Sequence, residues 1–217
     1  LKLTAFSGAP VLLIELQNEK KDEAAARQEV QTVDEQNITS ALLKLENPQQ
    51  KTLYFLSGHG EITPDSSGQP AGMSEAKSAL ESQNYTLQTL SLLKKDAAVP
   101  DDAAALIIAG PETDIAASEA KLLREYMEAK GRLVLLLSPQ PRQPQPQLAS
   151  LLKQLGLQAQ DGFVFDFEQM YNSPQFVTGP KGTASHPLLR GVSGDVVFPG
   201  VRPLREGKRG EEANPDL

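Results

Sequence analysis

Apolar residues along this chain fall into short, strand-length runs separated by amphipathic or polar stretches. Val11 to Leu16 and a stretch around Glu29 to Val33, joined through the charged turn QNEKKDE, read as two strands able to pair as a hairpin. Asp34 or Asn37 can cap a helix that runs to about Leu45, with Ile38, Ala41, Leu42 and Leu45 on one face, and Asn47-Pro48 stops it. Thr52 to Leu56 is apolar and rich in β-formers, the pattern of a central strand covered on both faces. It ends abruptly in Gly58-His59-Gly60-Glu61. After the loop ITPDSSGQPAG, Ser74 is placed to cap a helix to about Gln83, and the alternating Tyr85 to Leu90 reads as a strand nearer the sheet edge.

The second half repeats the alternation. Ala104 to Ala109 reads as a buried strand ending in Gly-Pro, and Ile115 to Lys130 as the clearest helix, closed by Gly131 as a left-handed cap. Arg132 to Leu137 is a fourth strand, broken by Ser138-Pro139. The segment PQPRQPQPQ is low in complexity and reads as an extended surface loop. A short helix from Leu148 to Leu155 ends at Gly156, Phe163 to Phe167 reads as a strand, and the chain from Asn172 reads as irregular until a late strand at Val196 to Phe198. The motif SHPLLRG, Ser185 to Gly191, lies between them.

Strands alternating with helices at this spacing imply right-handed crossovers, hence an α/β fold with a mostly parallel sheet and helices on both faces. The runs LIIA and LVLLL are where the core is expected to gain most. Residues 1–50 are expected to pack on, or lead into, an α/β domain of residues 51–204, and residues 205–217 to form a polar, disordered tail.

Composition narrows the chemistry. With 217 residues, 39% apolar and 23% charged, the chain is long enough for a substantial core. A formal net charge of −7 argues against nucleic acid or an anionic membrane surface as a direct partner. The cationic cluster Arg202, Arg205, Lys208 and Arg209 lies among Pro, Gly and Glu and reads as solvated. The absence of cysteine removes disulfides, thiolate nucleophiles and cysteine metal sites, and leaves the compartment open. No apolar run reaches the roughly 20 residues that span a bilayer, and no signal peptide is visible. A chain that begins at Leu1 rather than Met reads as part of a longer protein whose anchors lie outside it.

In open parallel sheets ligands sit beyond the carboxyl ends of the strands. That makes Ser57, Gly58, His59, Gly60 and Glu61, with Gly110 and Ser138 at the ends of neighbouring strands, the candidate ligand-binding residues. His59 can serve as general base, metal ligand or hydrogen-bonding post, or it can tie the turn together through backbone bonds. The turn-tying reading is favoured, because Ser57 is the one nucleophile in the motif and the G-x-S-x-G pattern is absent. A metal site from His59, Glu61 and His186 has acceptable donor types and no supporting spacing, and His186 precedes a proline, which suits a turn. Gly58, Gly60 and Gly110 can expose amides, yet neither phosphate-loop pattern occurs, so nucleotide hydrolysis is disfavoured and no cofactor is implied. Glu119, Glu125 and Glu128 read as a solvated helix face, and Asp166 as either a strand-end group facing the cleft or an exposed one.

The order of SALLKL, KTLYFLSGHGE, VPDDAAALIIAGPETDIAASEAKLLREYMEAKGRLVLLLSP and SHPLLRG resembles the GldG-type auxiliary components of ABC transport systems, first associated with gliding motility. The resemblance spans roughly Val11 to Leu204. It implies a fold similar to class I glutamine amidotransferases, flavodoxin-like, and to the related intraflagellar-transport (GIFT) domain. It also implies a non-enzymatic, extracytoplasmic (periplasmic or lumenal) binding domain at the cell membrane, anchored through segments outside this chain. Its partners would be the transporter's membrane subunits, with the ATPase a separate chain and a small-molecule or polysaccharide ligand unidentified. The amidotransferase cysteine nucleophile has no counterpart here. Where relatives tend to show Gly-Gly before the fourth strand this chain has Lys130-Gly131, and where they tend to end it in Asp-Pro it has Ser138-Pro139. The alternative reading is a hydrolase or metal-dependent enzyme using His59 with Ser57, Glu61 or His186.

Overall fold

Five consecutive buried residues, Thr52 to Leu56, make strand β4 (Lys51–Leu56) an interior element. It lies between β5 (Tyr85–Leu90) and β6 (Ala103–Ala109), with β7 (Leu133–Leu136) last in the order β5-β4-β6-β7. β4 pairs in parallel with β5 from Lys51 opposite Tyr85 to Leu56 opposite Leu90, and in parallel with β6. Backbone bonds from Leu106 N to Arg132 O (2.9 Å) and from Gly110 N to Leu136 O (2.7 Å) advance by the same number of residues on both strands, so β7 is parallel too. The protein is therefore α/β, with a four-stranded parallel sheet flanked by helices. This structure, a computed structural model, describes residues 2–5, 12–16, 26–66, 73–179 and 196–207. Its contacts gather into two units, Leu1–Ser57 with Ile62–Ile107 and Lys130–Val134, and Gly58–Glu61 with Ile108–Ala129 and Leu135–Leu217.

The first unit opens with an antiparallel sheet of β1 (Lys2–Ala5), β2 (Leu12–Glu15) and β3 (Arg27–Val30), which contains the expected hairpin. Ile14 and Val30 from this sheet pack with Ala41 and Leu45 of helix α1 (Glu35–Glu46). Asp34 caps α1: extended at its own backbone, it accepts from Asn37 N at 2.8 Å. Helix α2 (Ser74–Ser82) packs on β5, and its N-cap is Met73 rather than Ser74, with no side-chain cap bond. Asp102 ties two β4 residues together, accepting from Thr52 Oγ1 (3.1 Å) and the Tyr54 hydroxyl (3.0 Å). Burial, then the Asp102 bond and charge, push the Tyr54 phenol up.

The second unit contains α3 (Ala117–Glu128) packed against α4 (Pro146–Gln154), with Ala120, Leu123, Leu148, Leu151 and Leu152 buried. β8 (Leu157–Ala159) pairs with β12 (Leu204–Glu206), so regular structure continues through Arg205 and Glu206, where a polar tail is expected from the sequence. A separate sheet holds β9 (Met170–Tyr171), β10 (Ser173–Thr178) and β11 (Val197–Pro199) in the order β11-β10-β9. The motif at residues 185–191, with His186, lies outside the described residues.

Four further expectations are corrected. Phe163 to Phe167 is not a strand, because Asp166 Oδ1 accepts from Glu168 N (2.8 Å) and Gln169 N (2.9 Å) and turns the chain, leaving Phe165 and Phe167 exposed. Conversely, Ser173–Thr178 is a strand despite Pro174. The proline falls inside the register irregularity between Ser173 and Val177, where a missing N–H is tolerated. Helix α3 stops early, with Ala129 as C-cap, so the left-handed position falls on Lys130 (φ 66°) rather than Gly131. Lastly, the run LVLLL gains less than expected: β7 is the last strand of its sheet, and Val134 and Leu136 are 45% and 53% exposed.

These burials set a contrast in stability. Leu106→Ala, at a wholly buried site, is expected to lose about 2–5 kcal/mol in urea unfolding, and Leu136→Ala less than about 1 kcal/mol. Equal losses would contradict the strand order.

Candidate functional site

The turn after β4 depends on two glycines. Gly58 (φ 133°) and Gly60 (φ 82°) occupy backbone conformations that side chains disfavour, and a Cβ at Gly60 would lie 3.1 Å from Glu112 Cβ. The sharp turn brings Glu61 back on His59. Glu61 Oε2 accepts from His59 N at 2.6 Å, and its Oε1 lies 2.9 Å from His59 Nδ1. On the other side of the ring, Nε2 is 2.9 Å from Glu119 Oε2, without the alignment of a hydrogen bond. The Glu61 and Glu119 side chains are fully buried and the His59 side chain is 6% exposed.

Glu119 belongs to this site, not to a solvated face. It is the third residue of α3, and its Oε2 also accepts from Ala116 N (2.8 Å), half of a capping box whose other half the alanine cannot supply. That N-terminal position was the available signal in the sequence. Glu119 Oε1 has no partner among the described residues. The ring is thus flanked by a carboxyl group on each side, with Glu61 bonded at Nδ1 and Glu119 facing Nε2.

The backbone carbonyl of His59 extends the connection. It accepts from Glu112 N (2.8 Å) and Thr113 N (3.1 Å). Glu112 O in turn accepts from Arg142 N (2.8 Å) and Gln143 N (3.3 Å), and the Glu112 carboxylate pairs with the Arg142 guanidinium. Gln145 Nε2 donates to Pro111 O (2.8 Å) and Thr113 O (3.2 Å). Asp114 accepts from Gln147 N (2.9 Å) and Leu148 N (3.1 Å), capping α4 from a distant part of the chain. Residues 111–114 thus join the histidine turn to the proline-rich loop.

The remaining candidates are occupied otherwise. Ser57 closes on the neighbouring strand in the first unit, where both its N (2.9 Å) and its Oγ (3.3 Å) donate to Leu90 O. Gly110 is left-handed (φ 63°) and donates to Leu136 O, and Ser138 is half-buried just past β7. Asp166 is exposed, and the backbone N–H groups of Gln169 and Glu168 hold its carboxyl below the usual range. Among the described residues no three His, Asp or Glu side chains converge as a metal site, and no helix is long and apolar enough to cross a membrane.

A family model described as "ABC-type uncharacterized transport system" matches residues 50–198. No curated protein matches the sequence. A solved structure, "mmIFT52 N-terminal domain", is similar over 71% of this chain and 73% of that one, at 19% identity and a TM-score of 0.50, a likeness of fold.

Two outcomes test the site. Leaving a buried polar group unpaired typically costs about 1–3 kcal/mol, so Glu119→Ala, which strips Ala116 N and the His59 ring of a buried partner, should be clearly destabilising in urea unfolding and Glu125→Ala, on the exposed face, nearly neutral. Comparable small effects would return Glu119 to a solvated role. Because the Asp166 carboxyl is held low, its turn bonds are complete above the ordinary aspartate range and are lost as pH falls through the lowered value. Amide NMR shifts of Glu168 and Gln169 should therefore move with a midpoint below that of ordinary aspartate, and should stay still in Asp166→Asn.

Proposed function

The chain belongs to the family of ABC-type uncharacterized transport systems, and from that membership as an auxiliary component we propose that it is a non-enzymatic, extracytoplasmic interaction domain working beside the transporter's membrane subunits. The observation that carries the non-enzymatic half is the closure of His59. A general base needs a ring nitrogen within reach of a substrate proton. Here both nitrogens face buried carboxylates, and the ring is nearly inaccessible. Ser57, the candidate nucleophile, directs its hydroxyl to a backbone carbonyl. Without a cysteine, the amidotransferase chemistry of similar folds has no nucleophile either.

The extracytoplasmic location comes from the resemblance to GldG-type components, and the amidotransferase-like, flavodoxin-like class is the reading of the parallel sheet that this resemblance favours. The likeness to the mmIFT52 domain is one of fold and supports the α/β scaffold alone.

Location is tested in cells. The 217 residues hold no cysteine, so Glu75→Cys, exposed on α2, adds a label site that is read in the full-length protein against the same protein without the substitution. A membrane-impermeant maleimide should label it while the cytoplasmic membrane is intact; labelling only after that membrane is breached would reject the location. For chemistry, the purified chain should turn over no ester, amide or glycoside substrate, and turnover abolished by Ser57→Ala or His59→Ala would establish an enzyme.

A further inference from the structure

Asp161-Gly162 is the single Asp-Gly step among the 217 residues, and the chain holds no Asn-Gly step. It lies in a bend shortly after β8, in the second unit. After an aspartate, the next backbone nitrogen can attack the side-chain carboxyl carbon and close a five-membered ring. The ring closes most readily before glycine, where no Cβ crowds that nitrogen.

The fold leaves both reacting groups free. The Asp161 side chain is wholly exposed, so its carboxyl is open to water. The Gly162 N–H has no hydrogen-bond partner among the described residues, and a Cβ built at Gly162 would meet nothing within 4 Å. One side chain restrains the carboxyl: Arg202 donates from Nη2 to Asp161 Oδ1 at 3.1 Å and from Nε to Gln160 O at 2.8 Å. An ion pair with one fully exposed partner is weak and opens readily.

Another aspartate isolates what matters. Asp65 is also exposed and paired with one cation, Lys77, at 3.0 Å. The amide that follows it is not free, because Ser66 N donates to Thr63 O at 3.0 Å, and Ser66 carries a side chain. Asp166 is followed by the bulky Phe167, and its carboxyl is occupied by the N–H groups of Glu168 and Gln169.

We propose that Asp161 is a site of spontaneous isoaspartate formation. Gly162 N bonds to Asp161 Cγ, and one carboxyl oxygen leaves as water, taking the amide proton and one proton from solvent. Water then opens the succinimide and the solvent proton is returned. Attack at Cγ breaks the new bond and restores aspartate. Attack at the main-chain carbonyl breaks the original peptide bond, so the chain now runs through Cβ and Cγ, and water is the one co-reactant. The added main-chain carbon falls between two backbone bonds that tie this segment to residues 201–203, Gln160 N to Pro203 O (2.9 Å) and Val164 N to Val201 O (2.8 Å). The carboxylate that faced Arg202 moves to the Asp161 Cα.

This chemistry is independent of the transport role, and its failure would leave the location and turnover tests untouched. The purified chain is incubated at neutral pH and physiological temperature in water enriched in heavy oxygen, then mapped as peptides. Passage through the ring puts heavy oxygen into the regenerated carboxyl, and electron-transfer fragmentation distinguishes the isoaspartyl backbone. Both signals should accumulate at Asp161 and not at Asp65, at a rate within about tenfold of that in a free peptide of residues 158–164. Asp161→Glu, which keeps the charge but requires a six-membered ring, should lose both. Labelling of the free peptide with none at Asp161 of the folded chain, or equal labelling at Asp65, would overturn the assignment.

Discussion

A carboxyl group taken out of water is costly unless other polar groups replace the solvent around it. Glu61 and Glu119 are both taken fully out of water, and one imidazole answers them. The turn geometry is set by that requirement. Gly58 and Gly60 must adopt positive φ to fold Glu61 back onto His59, and Gly60 must lack a side chain for Glu112 to come close. Loss of the imidazole would leave two carboxylates facing one another across the space it fills.

The same turn organises later segments of the chain through its backbone. His59 O anchors Glu112 and Thr113, Glu112 O anchors Arg142 and Gln143, and Asp114 closes the first turn of α4. A proline-rich loop that could not hold itself, having given up half of its donors, is held by contacts from an earlier part of the chain. A motif whose place after a buried strand suits a catalytic loop thereby acquires a structural explanation. Its side-chain polar atoms are directed inward.

How much of this was legible depended on whether the deciding interaction was local. β4 between two parallel neighbours, the β2–β3 hairpin and the Asp34 cap all arise from patterns within a few residues. Glu119 did not, because its partner is His59, 60 positions away, and the helical wheel cannot say which face meets it. The exposure of Val134 and Leu136 was equally hidden: a run of apolar residues looks the same in an interior strand and in the last one. Phe163 to Phe167 failed the other way, since the alternation was present but the Asp166 side chain competed for the backbone.

The two units are each built from interrupted lengths of chain, the second reaching back to claim only Gly58–Glu61 from the middle of the first. During synthesis from the N-terminus, the first unit therefore waits for residues 130–134 before it is complete, and the four-residue turn is exposed before the chain that will bury it exists. No single cut separates one unit from the other. Domain borders drawn for expression, or chimaeras that exchange one half for that of a relative, would sever a unit wherever they fell between residues 58 and 134.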